Sequence, residues 1–205
     1  MMKPALVSII DSLTAESIPE DRKILLQSLI DYITEKIALK QDVNLNFICT
    51  HNSRRSQFSQ LWAKVIAIHY GVEINSFSGG VEITACNERT IASIERMGFD
   101  IKNFGGENPK YSISYHAEKA PLILFSKKYD DVSNPEKGFA AIMTCDHADE
   151  NCPFIPGSEK RLPIRFEDTK AFDDSPKEAK MYDERSLQIA TEMKYVFINL
   201  YSIFK

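Results

Sequence analysis

The chain of 205 residues is 43% hydrophobic and 26% charged, which is enough apolar material to bury a core and favours one globular domain. Its 25 basic and 29 acidic residues give a net charge of −4, and no run of Lys or Arg indicates nucleic-acid binding. The apolar stretches are far shorter than the ~20 residues that span a bilayer, and the N-terminus is a poor signal peptide. We therefore expect a soluble, cytoplasmic protein with no membrane or nucleic-acid partner.

Helical periodicity dominates the first forty residues. Apolar residues from Leu25 to Ile37 recur at three- and four-residue steps, and Pro19-Glu20-Asp21 is a plausible helix start. No group in this stretch suggests chemistry. We predict an N-terminal helical extension over residues 1–42, separate from the unit over 43–205 that carries the site.

From residue 44 onward, short apolar strands alternate with helices. Strands are predicted at Asn44–Ile48, Val72–Phe77, Pro121–Phe125, Phe139–Thr144 and Arg161–Phe166. Helices are predicted at Arg55–Tyr70, Asn87–Met97 and Glu184–Phe204. This alternation favours an α/β fold, a doubly wound open sheet of about four parallel strands with helices on both faces.

One polar stretch between a predicted strand and a predicted helix, Cys49-Thr50-His51-Asn52-Ser53-Arg54-Arg55-Ser56, has the features of an anion site. We call it the anion loop. Its backbone N–H groups can surround a tetrahedral oxyanion, helped by the dipole of the following helix, and Arg55 offers a planar fork to two anion oxygens. In that positive field Cys49 is favoured as the thiolate and would be a nucleophile. Ser56 can donate to the sulfur, and Asn52 can tie the loop in a left-handed conformation. The alternative is an inert buried Cys beside a surface Arg, since the spacing also occurs by chance.

The anion loop resembles that of the low-molecular-weight tyrosine phosphatases and of the arsenate reductases built on the same fold. Their pattern, C-x-x-N-x-x-R-S, is matched at Cys49, Asn52, Arg55 and Ser56. The resemblance covers roughly residues 43–204 and implies a catalytic domain of that type over 43–205. It also implies that residues 50–55 bind the oxyanion.

The segment Met143–Pro153, called here the redox segment, resembles that of the thioredoxin-coupled arsenate reductases. In that family its two cysteines, here Cys145 and Cys152, relay oxidising equivalents away from the loop cysteine. Because Cys145 follows an apolar strand, it should emerge at the same sheet edge as Cys49. If residues 145–152 formed a helix, the two Cα atoms would lie ~10.5 Å apart, whereas a disulfide needs ~7 Å or less. We therefore expect the segment to be mobile or to change shape with redox state.

Two alternatives for these cysteines stay open. Cys145, His147 and Cys152 could bind zinc, with His116 or His51 as the fourth ligand, although the spacing fits no common zinc module. Alternatively, Cys145 and Cys152 could be unpaired thiols in a phosphatase that retains the segment. We predict no metal site.

A third segment, Arg165-Phe166-Glu167-Asp168-Thr169, resembles the acid loop of both branches, in which an Asp precedes a Pro. Asp168 takes the place of that Asp, which would act as general acid and then as general base. Thr169 stands where the family has Pro. The competing candidate is Asp173-Asp174-Ser175-Pro176, and the alternative to both is an acidic surface loop.

Other positions differ from the family or have simpler interpretations. His51 stands where Gly is frequent, a position that His could fill because it enters the left-handed region more readily than most residues. Arg54 replaces a frequent second loop cysteine, and Gln60 replaces a potassium-binding carboxylate, so no potassium site is predicted. Asn87 is a candidate to bond the anion loop. Packing residues are Cys86, Trp62 and Tyr182.

The resemblance implies arsenate reduction by a three-thiol relay. Cys49 attacks arsenic, Cys145 attacks Cys49, and Cys152 attacks Cys145; an external dithiol such as thioredoxin then reduces the enzyme, with no bound cofactor. The alternative is a phosphatase that hydrolyses phosphotyrosine or a small phosphoester through a phosphocysteine. A third possibility is an anion-binding or redox-sensing module without turnover.

Overall fold

The computed structural model describes residues 1–151 and 154–204. The helices are α1 (Pro4–Ser12), α2 (Glu20–Ala38), α3 (Arg55–His69), α4 (Glu88–Arg96), α5 (Asp146–Asn151) and α6 (Glu178–Phe204), with 3₁₀ turns at Ala15–Ser17 and Thr169–Phe172. The strands are β1 (Asn44–Cys49), β2 (Asn75–Gly80), β3 (Asp100–Asn103), β4 (Tyr111–Ser114), β5 (Leu122–Leu124), β6 (Phe139–Met143) and β7 (Ser158–Leu162).

The main sheet has four parallel strands in the order β2-β1-β6-β7, which confirms the predicted α/β class. All five residues of β6 are buried, as expected for a strand covered on both faces. From β1 the chain passes through α3 to β2 on one side, and the later strands lie on the other side. The strand order therefore reverses between β1 and β6, which is where such sheets form their ligand crevice.

The larger of two hydrophobic clusters among the described residues joins the sheet to the surrounding helices. Helix α3 contributes a stripe of fully buried side chains, Phe58, Leu61, Trp62, Val65 and Ile66. His69, near its end, is partly exposed and pairs with Asp11. The Trp62 indole donates to Ser186 Oγ on α6 at 2.9 Å, which ties α3 to the last helix.

The N-terminal helices pack on the same core, mainly against α6. The α2 side chains Leu26, Leu29, Ile30 and Ile33 are buried. Lys194 of α6 donates from Nζ to three carbonyl oxygens at and after the end of α1, those of Ile10, Asp11 and Leu13. The division of the chain at residue 43 stays a prediction. Among the described residues, no helix is both long and apolar enough to cross a membrane.

Several predicted boundaries were wrong. The strand predicted at Val72–Phe77 begins at Asn75 and ends at Gly80, three residues beyond its predicted end. A Cβ on Gly79 would lie 2.2 Å from Tyr129 Cα, so this glycine permits a close approach of two backbones. The strand expected at Arg161–Phe166 lies at Ser158–Leu162, and the last helix begins at Glu178.

A second sheet was not predicted. Strands β3, β4 and β5 form it with antiparallel pairing, so the strand predicted near Pro121–Phe125 belongs here and not to the main sheet. Residues of β3 are mostly exposed, and such a strand has no apolar run to reveal it.

Candidate active site

The anion loop joins the end of β1 to the start of α3. Cys49, the last residue of β1, is 3% exposed, and its Sγ lies 3.1 Å from Ser56 Oγ. The Asn52 side-chain amide donates to the same Ser56 oxygen at 2.8 Å. Because Ser56 accepts from Asn52, its own hydroxyl proton can point toward the cysteine sulfur.

Asn52 holds the loop in shape. Its φ is +47°, so the left-handed residue of the loop is Asn52 and not His51, contrary to one expectation from the sequence. Its Oδ1 accepts from the Lys127 N–H at 3.0 Å, and its carbonyl accepts from Gln57 Nε2 at 2.7 Å. The predicted tying role of Asn52 thus corresponds to two side-chain hydrogen bonds, and its backbone carbonyl adds a third bond.

The carbonyl groups of the loop all bond to the surrounding scaffold. Those of residues 49–54 accept from Val81 N–H, Glu82 N–H, Ser126 Oγ, Gln57 Nε2, Asn87 N–H and Phe58 N–H respectively. Within the described residues, none of the N–H groups of residues 51–55 has a hydrogen-bond acceptor. Because its carbonyl groups are already hydrogen-bonded and its N–H groups are not, the loop is suited to bind an anion.

Arg55 connects the loop to the acid loop. Its Nη2 donates to Asp168 Oδ2 at 2.6 Å, and its Nη1 donates to the Phe166 carbonyl at 3.0 Å. Its Nε is buried and has no partner among the described residues, so one donor is left for an oxyanion. Asp168 Oδ1 also accepts from the Lys170 N–H at 3.0 Å, which fixes the carboxylate at the start of the 3₁₀ turn without a proline at Thr169.

The competing carboxylates have other partners. Asp173 accepts from Arg54 Nη2 at 2.8 Å and from the Tyr182 hydroxyl at 2.7 Å, and Asp174 pairs with Arg89 at 2.6 Å. This leaves Asp168 as the carboxylate that contacts Arg55.

Tyr182 has a role that the sequence did not reveal. Its ring is fully buried, as predicted, but its hydroxyl also accepts from Arg54 Nε at 2.7 Å. Burial is the largest cause of the raised pKa of Tyr182. Burial alone would lower the pKa of Arg54, but the hydrogen bond to Tyr182 and the nearby carboxylates raise it. The Arg54 side chain is therefore a fixed cation that points toward α6. Because the hydroxyl of a buried tyrosine needs a hydrogen-bond partner, the prediction that Tyr182 is buried could have suggested such a contact.

Cys145 lies beside the anion loop, at the sheet edge where it was expected. Its Sγ is 3.5 Å from Thr50 Oγ1, and the Ala148 N–H donates to it at 3.4 Å. Thr50 Oγ1 also lies 3.3 Å from His147 Nδ1. The thiol is 1% exposed, so it is shielded from solvent but in contact with the loop. Cys152, the other predicted relay cysteine, lies outside the described residues.

The first part of the redox segment is the short helix α5. Two arginines bind its acidic side chains: Arg165 pairs with Asp146 at 2.8 Å and with Asp149 at 2.6 Å, and Arg161 pairs with Asp149 at 2.5 Å. Whether the segment is mobile or changes shape with redox state stays a prediction.

The remaining predicted residues lie around the loop. His51 pairs with Glu82 at 3.3 Å, and Ser53 Oγ donates to the Ala85 carbonyl. Asn87 bonds the loop through its backbone N–H, while its side chain caps α4. Cys86 is buried, which raises the pKa of its thiol and fits a packing residue. Both ends of the Gln60 amide bond to β2.

The proposed fourth zinc ligand His116 is remote from Cys145. It bridges to Met2 and lines a cavity with Val43 and Asn75, at the starts of β1 and β2. That edge of the sheet is opposite to the anion loop, so His116 cannot share a metal ion with Cys145.

Comparison with solved structures identifies the class of fold. The low-molecular-weight phosphotyrosine phosphatase of Vibrio cholerae O395 aligns with a TM-score of 0.52 and 11% identity, over 78% of this chain and 97% of that one. The corresponding phosphatase of T. tengcongensis aligns with a TM-score of 0.51 and 12% identity, over 77% and 99%. The chain therefore has the low-molecular-weight phosphatase fold.

Sequence comparison with curated proteins gives the family. Arsenate reductase 2 of Staphylococcus epidermidis RP62A is 30% identical over 122 residues, which are 60% of this chain and 75% of the relative. Arsenate reductase 2 of Staphylococcus haemolyticus JCSC1435 is 31% identical over the same shares. No family model matches the chain. The chain belongs to the arsenate reductase family, and it is an enzyme.

Proposed function

We propose that this enzyme reduces arsenate to arsenite with a nucleophilic cysteine and a thiol–disulfide relay. The observation that carries the proposal is the contact between Cys145 Sγ and Thr50 Oγ1, which puts a second thiol beside the loop that begins at Cys49. Phosphoester hydrolysis requires one nucleophilic cysteine, whereas reduction of an oxyanion requires two electrons and hence a second thiol.

In the first step the N–H groups of the anion loop and the Arg55 guanidinium bind the arsenate oxygens. Cys49 attacks arsenic as a thiolate, with Ser56 Oγ at 3.1 Å from its sulfur. A sulfur–arsenic bond forms and an arsenic–oxygen bond breaks. Asp168 supplies the proton with which that oxygen leaves as water. The incoming oxyanion competes with Asp168 for Arg55, which frees the carboxyl group for this role.

In the second step Cys145 attacks the Cys49 sulfur. The new sulfur–sulfur bond oxidises the two cysteines, while the electron pair of the broken sulfur–arsenic bond reduces arsenic from the pentavalent to the trivalent state and arsenite leaves. The proton of Cys145 leaves through the Thr50 hydroxyl, which also contacts the His147 ring.

In the third step Cys152 attacks Cys145 and frees Cys49. An external dithiol such as thioredoxin then reduces the 145–152 disulfide, so no bound cofactor is needed. The support for this step is the sequence resemblance of the redox segment and the family relationship.

The test is NADPH oxidation by thioredoxin reductase and thioredoxin in the presence of the enzyme and arsenate. We expect arsenate-dependent consumption that disappears in Cys145→Ser and persists in the matched variant Cys86→Ser, since Cys86 is a buried packing thiol. No consumption by the wild type, or undiminished consumption by Cys145→Ser, would overturn the proposal.

A phosphatase is the second candidate, because Cys49, Arg55 and Asp168 suffice for a phosphocysteine mechanism, and the contact between Arg55 and Asp168 does not involve Cys145. It requires aryl phosphate hydrolysis that depends on Cys49 and survives the loss of both Cys145 and Cys152. If such hydrolysis occurs without arsenate-dependent NADPH oxidation, the phosphatase is the function.

A further inference from the structure

A side chain of the N-terminal extension, Arg22, contacts the acid loop. Arg22, in the first turn of α2, lies with its Cζ 4.8 Å from the centre of the Phe166 ring. Its Nε and Nη2 donate to the two carboxylate oxygens of Glu192 on α6 at 2.9 and 2.8 Å. The two side chains are 16% and 3% exposed, so the guanidinium plane is fixed by a largely buried bidentate pair.

Phe166 is the residue that links the three segments of the site. Its N–H donates to the Thr144 carbonyl at 3.1 Å, immediately before Cys145, and its carbonyl accepts from Arg55 Nη1. Asp168 follows two residues later and accepts from the same guanidinium. A shift of the Phe166 backbone would therefore move the Asp168 carboxylate relative to Arg55.

Other contacts also hold the acid loop: Arg165 pairs with Asp146 and Asp149, and the Phe166 ring is buried in the hydrophobic core. Glu167 pairs with Arg185 at 3.1 Å, but the Glu167 side chain is 91% exposed, and such a pair fixes little. Thr169 does not provide the rigid ring of a proline. The stack of Arg22 on the Phe166 ring thus adds a fixed, largely buried cation to the contacts of the acid loop.

We propose that Arg22 is a positioning residue that holds the acid loop in its reactive geometry, and that the N-terminal extension supplies the back wall of the active site. This inference rests on the proposed function, in which Asp168 acts as the proton donor. It predicts an effect on the chemical step and little effect on oxyanion binding, because Arg22 does not contact the anion loop.

The experiment measures kcat and KM for arsenate in the full-length chain with the thioredoxin system. Arg22→Met combined with Glu192→Gln removes the stack without leaving a buried carboxylate unpaired. We expect kcat to fall roughly tenfold, with a change in KM below about twofold. Arg22→Lys, which keeps the charge but lacks the planar fork, should lose less.

The control is Arg96→Met, since Arg96 also donates to both oxygens of an α6 carboxylate, Asp183, but does not contact the acid loop. Its kcat should equal that of the wild type. In a double-mutant cycle, the Arg22 substitution should no longer lower kcat once Asp168→Asn is present, because Arg22 acts through Asp168. The inference would be overturned if the Arg22 substitution lowered kcat equally with and without Asp168→Asn. It would also be overturned if the Arg22 variant had the same kcat as the Arg96→Met control. A wild type without arsenate turnover instead overturns the proposed function, and aryl phosphate hydrolysis, which also uses Asp168, then tests Arg22 by the same cycle.

Discussion

The anion loop and the redox segment are neighbours, but different contacts hold the centre of the loop and the short helix α5. Hydrogen bonds to buried groups fix the loop, and Asn52 at its centre is fully buried. Ion pairs fix α5, through the partly exposed Arg161 and Arg165. A site that stabilises charge needs donors that do not move, whereas a cysteine that must meet two different partners needs a segment that can be released.

The largest effects should come from the cysteines on the two sides. Cys49→Ser should abolish even the first turnover, because no sulfur–arsenic bond can form. Cys152→Ser should allow about one turnover and accumulate a 49–145 disulfide, detectable by mass spectrometry of non-reduced peptides. Sustained turnover by Cys152→Ser would contradict the relay.

Breaking the loop side should cost both activity and stability. Asn52→Ala removes two side-chain hydrogen bonds, to Ser56 Oγ and from the Lys127 N–H, and places a residue without a polar side chain at positive φ. We expect kcat/KM to fall roughly 10²-fold and the free energy of unfolding to fall by about 2–4 kcal/mol.

The control for Asn52 is Asn134→Ala, which loses buried amide hydrogen bonds to the Ser78 and Tyr129 carbonyls but does not contact the loop. It should be destabilised by a similar amount and keep its kcat. An equal loss of kcat in both variants would mean that activity does not depend on the hydrogen bonds of the loop in particular.

The buried charge beneath the loop should make stability depend on pH. Burial, the largest cause, lowers the pKa of Lys127 from 10.5 to about 8. Between these values the unfolded chain binds more protons than the folded one, so the free energy of unfolding rises with pH from about 8 to 10.5. Lys127→Met should remove this rise and stabilise the protein by a few kcal/mol at pH 7, as measured by urea unfolding. In the control variant Lys128→Met, at an exposed neighbouring residue, the free energy of unfolding should still rise with pH. If it also rises in Lys127→Met, another group is responsible for the pH dependence.

The smallest effect is expected on the segment side. Asp149→Asn removes the common partner of Arg161 and Arg165 and should destabilise the protein by only about 1 kcal/mol. The Cys145 thiol of this variant should nevertheless react several-fold faster with iodoacetamide than that of the wild type. Added salt should reduce this difference in alkylation rate. Asp183→Asn, which breaks an ion pair on α6, should leave the rate of alkylation unchanged.

The sequence predicted the parts of the molecule that have local patterns. Strands β1 and β6 are apolar runs because both faces of the sheet are covered, and the spacing of Cys49, Asn52 and Arg55 lies within one loop. Contacts between distant residues could not be predicted: Arg22 meets Phe166, and Tyr182 meets Arg54, across more than a hundred residues. The continuation of β2 through Gly79 could not be predicted either, because the backbone that this glycine lets approach, at Tyr129, is remote in sequence.

The register of β1 against β6 has a consequence for electron transfer. Ile48 lies opposite Met143, and the Thr144 N–H still donates to the Ile48 carbonyl at 2.7 Å, so the ladder continues to the cysteines. With strands ~4.8 Å apart and ~3.3 Å per residue, Cys49 and Cys145 have Cα atoms about 6 Å apart, within the span of a disulfide. The sheet itself thus meets the Cα separation that the first disulfide of the proposed relay requires. The spacing of the backbone ladder, which is common to all parallel sheets, therefore sets the distance between the first two cysteines of the relay.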